Sequence, residues 1–329
     1  MIITRSPLRI SFCGGGTDLP SYYTHRQGAV VSTAINKYVY ITINRLTRYF
    51  EHRILLKYSH TELVDSVEEI QHPIIREAMK MTGVLDSVEI TSMADIPAGT
   101  GLGSSSTYTV GLLHALHTFK GEYVSAKQLA KEACCIEIEK LGDPIGKQDQ
   151  YIAAYGGICH IRFNPDESVF VDPVICAPGT KKVLQDNLLV FYTGLTRRAG
   201  EILAVQKKAT ERKMDVLTRM RDLCGRFMEV LREGRSLNRF GDVLHEAWEH
   251  KRTLVDSISN DAINACYEKA RQAGALGGKL LGAGGGGFLL FYVEPQNHAQ
   301  VREALRDLQE LPFEFEPQGS KVIYLSDDM

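Results

Sequence analysis

Long uncharged apolar runs are missing from this sequence. No window approaches the roughly 18 to 20 residues needed to cross a bilayer, so no membrane partner is expected. A surplus of either charge is missing too: 38 Lys and Arg stand against 40 Asp and Glu, a formal net charge of −2. That balance gives no basic field for nucleic acid, and an acidic substrate would have to be met by local positive sites. The seven cysteines, at 13, 134, 135, 159, 176, 224 and 266, are odd in number and nowhere spaced C-x-x-C. They read as reduced, mostly buried thiols. No early segment reads as a secretory leader, because Met1-Ile2-Ile3-Thr4-Arg5 runs straight into patterned sequence, and the expected location is the cytoplasm. Internal repeats are absent, as are low-complexity tracts other than clustered glycines.

What is present is ordinary globular composition: 329 residues, 44% hydrophobic and 24% charged. The length suggests two domains of roughly 150 residues each. Pro173, Pro178 and Gly179 punctuate the chain near 175–185, so the expected domains are 1–180 and 181–329. Residues 28–43 alternate in β-branched and aromatic positions and predict a strand, as do 87–93, 157–163, 188–192, 288–293 and 321–325. Ser125 and Gln128 form a capping box that opens a helix running to Gly142. The second half is richer in helix. An amphipathic stretch from Ile202 to Leu231 ends at Gly234, and helices are predicted near 239–256, 260–273 and 297–309. The fold class is α+β in both halves.

The strongest motif is Ile96-Pro-Ala-Gly-Thr-Gly-Leu-Gly-Ser-Ser-Ser-Thr107, set between a strand and a helix. Glycines permit a tight turn and close backbone approach, and the free N–H groups of the following helix make an anion site. The hydroxyls of Ser104, Ser105 and Ser106 can add hydrogen bonds or bind a metal. Two familiar phosphate motifs fail. The nearest approach to G-x-x-x-x-G-K-[ST] is Gly274 to Lys279, where the spacing is short and Leu280 replaces the hydroxyl; G-x-G-x-x-G occurs at Gly282, Gly284 and Gly287, but before a strand instead of after one. His245-Glu-Ala-Trp-Glu-His250 is no metal motif either, since its histidines are five apart, and it reads as a helix packed through Trp248.

With Ser6-Pro-Leu-Arg-Ile-Ser-Phe-Cys-Gly-Gly-Gly-Thr-Asp18 before this loop and Gly277-Gly-Lys-Leu-Leu-Gly-Ala-Gly-Gly-Gly-Gly287 after it, the chain resembles the GHMP kinases. The resemblance spans the whole chain through three motifs in the expected order. It implies a two-domain fold, with an N-terminal domain like ribosomal protein S5 and a ferredoxin-like C-terminal domain. It also implies ATP on the Pro97–Ser106 loop (Pro97, Gly99, Gly101, Leu102, Gly103, Ser104, Ser105, Ser106), Mg²⁺, and a sugar or sugar phosphate between the domains. Among these kinases the R-I/L-x-x-x-G-G-G-T-D form of the first motif is closest to the heptose 7-phosphate branch.

Individual roles follow from matched positions. Gly146-Lys-Gln-Asp-Gln150 resembles the family's G-x-x-D-Q, which makes Asp149 the candidate base, with Lys147 and Gln148 as fillers. Glu137 shares a helix face with Ala130, Ala133, Cys134 and Leu141, whereas Glu139 lies on the polar face. A carboxylate on an apolar face needs a partner: Mg²⁺ is one, a Lys or Arg another. The family's metal carboxylate lies about twelve residues before the catalytic Asp, which lands on Glu137, and its metal-binding hydroxyl lands on Ser105. Arg9 matches a basic residue near the transferred phosphoryl group. Gly15, Gly16, Thr17 and Asp18, with Gly284 and Gly285, are placed around the sugar. Gly14-Gly15-Gly16 departs from the Gly-Glu-His of galactokinases, leaving room for a bulkier sugar. Finally Arg197 and Arg198, expected to open the long second-half helix, could seat a phosphate carried by the substrate.

Overall fold

The computed structural model describes residues 1–195, 202–206 and 210–326. Two sheets organise them. The larger has eight strands: β1 (Ile2–Cys13), β2 (Gly28–Arg45), β3 (Ile54–Lys57), β4 (Thr61–Val64), β5 (Val88–Ala94), β6 (Ile158–Phe163), β7 (Val169–Pro173) and the final strand of the chain. The smaller contains β8 (Leu188–Tyr192), β9 (Ala275–Leu280), β10 (Phe288–Val293) and β11 (Gln309–Glu310), in the order β11-β8-β10-β9. The final strand, β12 (Lys321–Leu325), returns to the first sheet and pairs antiparallel with β1.

β2 is the spine. Its first eight residues are all buried, and its later residues alternate. The early part pairs with β6 and the later part with β5, while β1 runs beside both. The β1–β2 register shifts after Pro7, where proline supplies no N–H to the ladder, and again between Ser11 and Cys13. The helices Ser104–Phe119, Gln148–Tyr155 and Met214–Glu233 all contact β2. Phe12 of β1 meets Phe240 at 5.1 Å between ring centroids, and Phe240 meets Phe227 edge-on at 4.7 Å. Residues of both halves therefore share one core.

This continuity bears on the division at 180. The second sheet does begin beyond that point, but Phe315 bridges Ile35 and β12 pairs with β1. The last stretch of 181–329 thus completes the first sheet. The amphipathic stretch from Ile202 is not one helix: residues 202–206 are helical, Thr210–Lys213 is a 3₁₀ turn, and the long helix is Met214–Glu233, closed by Gly234 at φ 62°. Composition also concealed β9. Gly277 and Gly278 lie inside this strand because helix Asn238–Arg252 rests on it; a Cβ on Gly277 would fall 1.9 Å from the Gly241 carbonyl oxygen. No helix among the described residues is long and apolar enough to cross a membrane.

Candidate functional site

A cavity of about 300 Å³ opens where the loop before helix Ser104–Phe119 faces the loop between β9 and β10. Gly99, Gly101 and Gly103 all take positive φ, at 78°, 84° and 79°. Gly103 is the N-cap, so the first-turn N–H groups of a 16-residue helix look toward the cavity that Ser104, Ser105 and Ser106 line. A Cβ on Gly103 would lie 3.1 Å from Asp149 Oδ2 and 3.2 Å from Arg9 Cγ, so glycine here keeps the loop close to the charged pair.

That pair is the centre of the site. β1 turns Arg9 inward, and its Nε and Nη2 donate to Asp149 Oδ1 and Oδ2 at 2.8 and 2.7 Å, a bidentate fork. Nη1 donates to the Gly101 carbonyl, and the Arg9 backbone N–H to that of Leu102 at 3.0 Å. Gln148, expected to be a filler, is buried and orients its neighbour. Its Nε2 donates to Asp149 Oδ1 at 2.9 Å, and its Oε1 accepts from Ser11 at 2.7 Å and from Ser32 at 3.1 Å. Asp18 accepts from the backbone N–H of Gly16 at 2.8 Å and of Gln148 at 3.2 Å. Burial pushes the Asp18 carboxyl above its usual range, against the pull of the Gly16 N–H. Gly146 must be glycine, since a Cβ there would lie 2.0 Å from Asp18 Oδ2. The first glycine motif and the Gly146 turn are thereby clasped together.

Glu137 lies where the helical period puts it. It is fully buried while Glu139 is exposed, although the helix itself becomes a π-helix over Cys135–Lys140. π-Turns of this kind concentrate at functional sites. Ser105 Oγ donates to Glu137 Oε1 at 3.0 Å and Gln150 Nε2 to Oε2 at 2.6 Å. Ser105 lines the cavity and Glu137 stands directly behind it. Burial lifts the Glu137 carboxyl to about 7, against the pull of these donors. No cationic side chain among the described residues pairs with it, and Gln150 Oε1, also buried, has no hydrogen-bond partner. Oxygen lone pairs outnumber the N–H and O–H groups that answer them, and these oxygens are hard ligands, so the residues fit Mg²⁺.

The opposite wall carries two lysines. Lys279 of β9 donates to the Ser11 and Phe12 carbonyls at 2.8 and 3.1 Å, and Lys251 donates to the carbonyls of Leu280, at 3.1 Å, and Gly282, at 2.6 Å. Burial brings Lys279 down to about 8; burial, then Lys279 and Arg9, holds Lys251 well below the usual lysine range.

Of the residues expected at the site, Arg9, Gly15, Gly16, Asp18, Gly99, Gly101, Gly103, the three serines and Asp149 line the cavity. Others do not. Leu102 is in the core, Pro97 is outside the lining, and Thr17 spends its hydroxyl on the Gly14 and Ala29 carbonyls. Gly284 and Gly285 turn away to pack on Ile258, and their neighbours Gly282 and Ala283 take the lining positions. Arg197 and Arg198 lie outside the described residues. Sequence reasoning passed over Gln148, Gln206, Asp143 and Lys251. Lys251 carried a signal: with Leu244, Ala247 and Trp248, all buried, it occupies the apolar face of its helix, as Glu137 does on another.

Two family models match, GHMP kinases N terminal domain over residues 67–157 and GHMP kinases C terminal over 227–311. The chain is 28% identical over 336 residues to D-glycero-alpha-D-manno-heptose 7-phosphate kinase of Campylobacter jejuni, covering 97% of this chain and 98% of that one. It is 26% identical to galactokinase of Pyrococcus furiosus, covering 92% of each. Among solved structures, a D-glycero-D-manno-heptose 1-phosphate kinase from Bacteroides thetaiotaomicron superposes with a TM-score of 0.82 at 25% identity, covering 99% of this chain and 100% of the other. Motif order, fold and matched models agree that this chain belongs to the GHMP kinases and is an ATP-dependent kinase.

Proposed function

We propose that this kinase phosphorylates a sugar, and that the sugar is a heptose carrying its own phosphate, D-glycero-D-manno-heptose 7-phosphate, modified at its anomeric hydroxyl. The observation that carries the proposal is the Arg9–Asp149 fork, held between the phosphate loop and the open Gly14–Gly16 turn. A nucleotide triphosphate on the loop would present its last phosphate to this fork, and a sugar beside Gly15, Gly16 and Asp18 would present a hydroxyl to Asp149. The anomeric oxygen bonds to the γ-phosphorus, the bond to the ADP oxygen breaks, and Asp149 takes the hydroxyl proton. Phosphoryl transfer passes through a loose transition state, so positioning and charge matter more than base strength. Gln148 and Arg9 supply the positioning. Arg9 retains N–H groups beyond the three it spends on Asp149 and Gly101, and these can meet equatorial phosphoryl oxygens. Ser105 and Glu137 would hold Mg²⁺, whose charge offsets that of the phosphates when bound.

The heptose assignment is supported by the similarity over the whole length to the C. jejuni kinase and by the absence of the Glu-His pair that galactokinases place after the first Gly. The named relatives differ in where their heptose carries phosphate. The test is a panel of heptose 7-phosphate, heptose 1-phosphate, unphosphorylated heptose, galactose and fucose, followed by ADP release, with the product's phosphorus position read by NMR. The expected result is highest kcat/KM for heptose 7-phosphate and a 1,7-bisphosphate product. Higher kcat/KM for galactose or fucose would overturn the assignment.

A further inference from the structure

We propose that Lys251 and Lys279 form a phosphate seat on the wall of the cavity opposite the phosphate loop, contacting a phosphoryl group of the bound substrates. This rests on the kinase reading above and adds to it Lys279, a residue of the third motif given no role so far, and Lys251, which lies outside all three motifs. Both lysines line the cavity, and their residues are only 7% and 4% exposed. Each ammonium donates to two backbone carbonyls, Lys251 to Leu280 and Gly282, Lys279 to Ser11 and Phe12. An ammonium has three N–H groups, so each keeps one in reserve. Neither has a carboxylate partner among the described residues; the titratable groups that act on Lys251 are Lys279 and Arg9, and those that act on Lys279 are the Cys13 thiol, Arg9 and the Cys224 thiol.

Arg9 is answered by Asp149, but two ammonium groups on one cavity wall with no carboxylate of their own are unfavourable in a folded protein unless an anion completes them. The structural purpose that the carbonyl bonds could serve needs only a neutral donor, which would avoid the desolvation that holds both lysines below their ordinary range. Lys251 is tied to Gly282, which packs on Gly101 of the phosphate loop, with a Cβ on Gly282 only 2.5 Å from Gly101 Cα. The seat therefore faces the path of transfer. Its phosphate can come from either side: the phosphoryl group leaving ATP, or the group carried by the sugar.

The experiment measures thermal stabilisation by inorganic pyrophosphate, then binding of a non-hydrolysable ATP analogue and of heptose 7-phosphate separately, in wild type and in Lys251→Gln and Lys279→Gln. Glutamine keeps an N–H donor for the carbonyls and removes the charge; Lys→Met variants, checked for native unfolding midpoints, serve where Gln misfolds. Loss of a charge-assisted contact should weaken binding about tenfold to a hundredfold. Loss confined to the analogue, with kcat lowered, identifies the transferred phosphoryl group. Loss confined to heptose 7-phosphate, with unphosphorylated heptose unaffected, identifies the sugar's phosphate. Either supports the seat. Folded variants that bind pyrophosphate, analogue and sugar phosphate as wild type does would overturn it. The pyrophosphate arm needs no sugar, so a wrong heptose assignment would leave the test intact.

Discussion

Two glycine-rich loops meet across the cleft, 99–103 and 282–287, and they use glycine differently. In the first, Gly99, Gly101 and Gly103 curl the chain into the start of a helix, so that free N–H groups and serine hydroxyls face the cavity. In the second, glycine serves backbone-to-backbone packing. A Cβ on Gly284 would lie 2.8 Å from Ile258 Cα, one on Gly286 2.6 Å from the Leu195 oxygen, and one on Gly287 2.2 Å from the Thr100 oxygen. Only the edge of this second loop, Gly282 and Ala283, reaches the cavity. The lesson is that a glycine cluster marks close approach, and that what approaches can be a ligand or the protein itself.

If the first loop's side carries the chemistry, Asp149→Asn should give the largest effect. It keeps the size of the side chain and some hydrogen bonds but cannot take a proton. The expected loss in kcat is about 10² to 10⁴ with an unchanged unfolding midpoint. Near-normal turnover would move the chemistry elsewhere and undo the contrast. On the second loop, Gly287→Ala should damage stability. Left-handed φ at 98° and a contact of 2.2 Å with a backbone oxygen together should cost roughly 2–5 kcal/mol by urea unfolding. A variant of wild-type stability with a raised KM for ATP would show that this loop, too, is a binding loop.

The contrast also explains what sequence could reveal. The strands at 188–192, 288–293 and 321–325 were legible because β-branched and aromatic runs were bounded by turn residues. Glu137 was legible because one carboxylate interrupted an apolar face, and the π-turn left that face buried. Lys251 interrupts an apolar face in the same way, but it sits in the basic last turn of its helix, where a lysine reads as complementing the dipole. Gln148 could not be found by pattern at all. Its work depends on Ser11 and Ser32, more than a hundred residues away in sequence, reaching it from two adjacent strands. The return of β12 to the first sheet was hidden for the same reason: strand 321–325 was visible, but its partner β1 was not specified by anything local. Ser125 shows the limit in miniature, since its hydroxyl caps Gln128 N at 3.2 Å, but the Gln128 side chain goes to Glu132 instead of back.

A smaller effect tests the metal side of the first loop. Glu137→Gln and Ser105→Ala should each raise the Mg²⁺ concentration for half-maximal rate by about tenfold or more, a change of about 1.4 kcal/mol. Glu139→Gln, on the exposed face, should leave it unchanged. A shift for Glu139→Gln and none for Glu137→Gln would separate the buried carboxylate from the metal.

The smallest effect is the control that makes the glycine comparison quantitative. Gly121 follows the helix that the phosphate loop opens, has φ 74°, and has no atom within 4 Å of where a Cβ would stand. Gly121→Ala therefore introduces backbone strain without a contact, and the expected destabilisation is about 1 kcal/mol. Alanine also restricts the unfolded chain, which offsets part of that strain. The offset is the same at Gly287, because it belongs to the unfolded state and not to the site. Subtracting one Gly→Ala value from the other thus cancels both the unfolded term and most of the φ term, and leaves the cost of pushing a methyl group against Thr100. Urea midpoints at constant m-value give both numbers. A difference near zero would mean that the 282–287 loop can move away from the phosphate loop freely, and glycine there would then be retained for something other than packing.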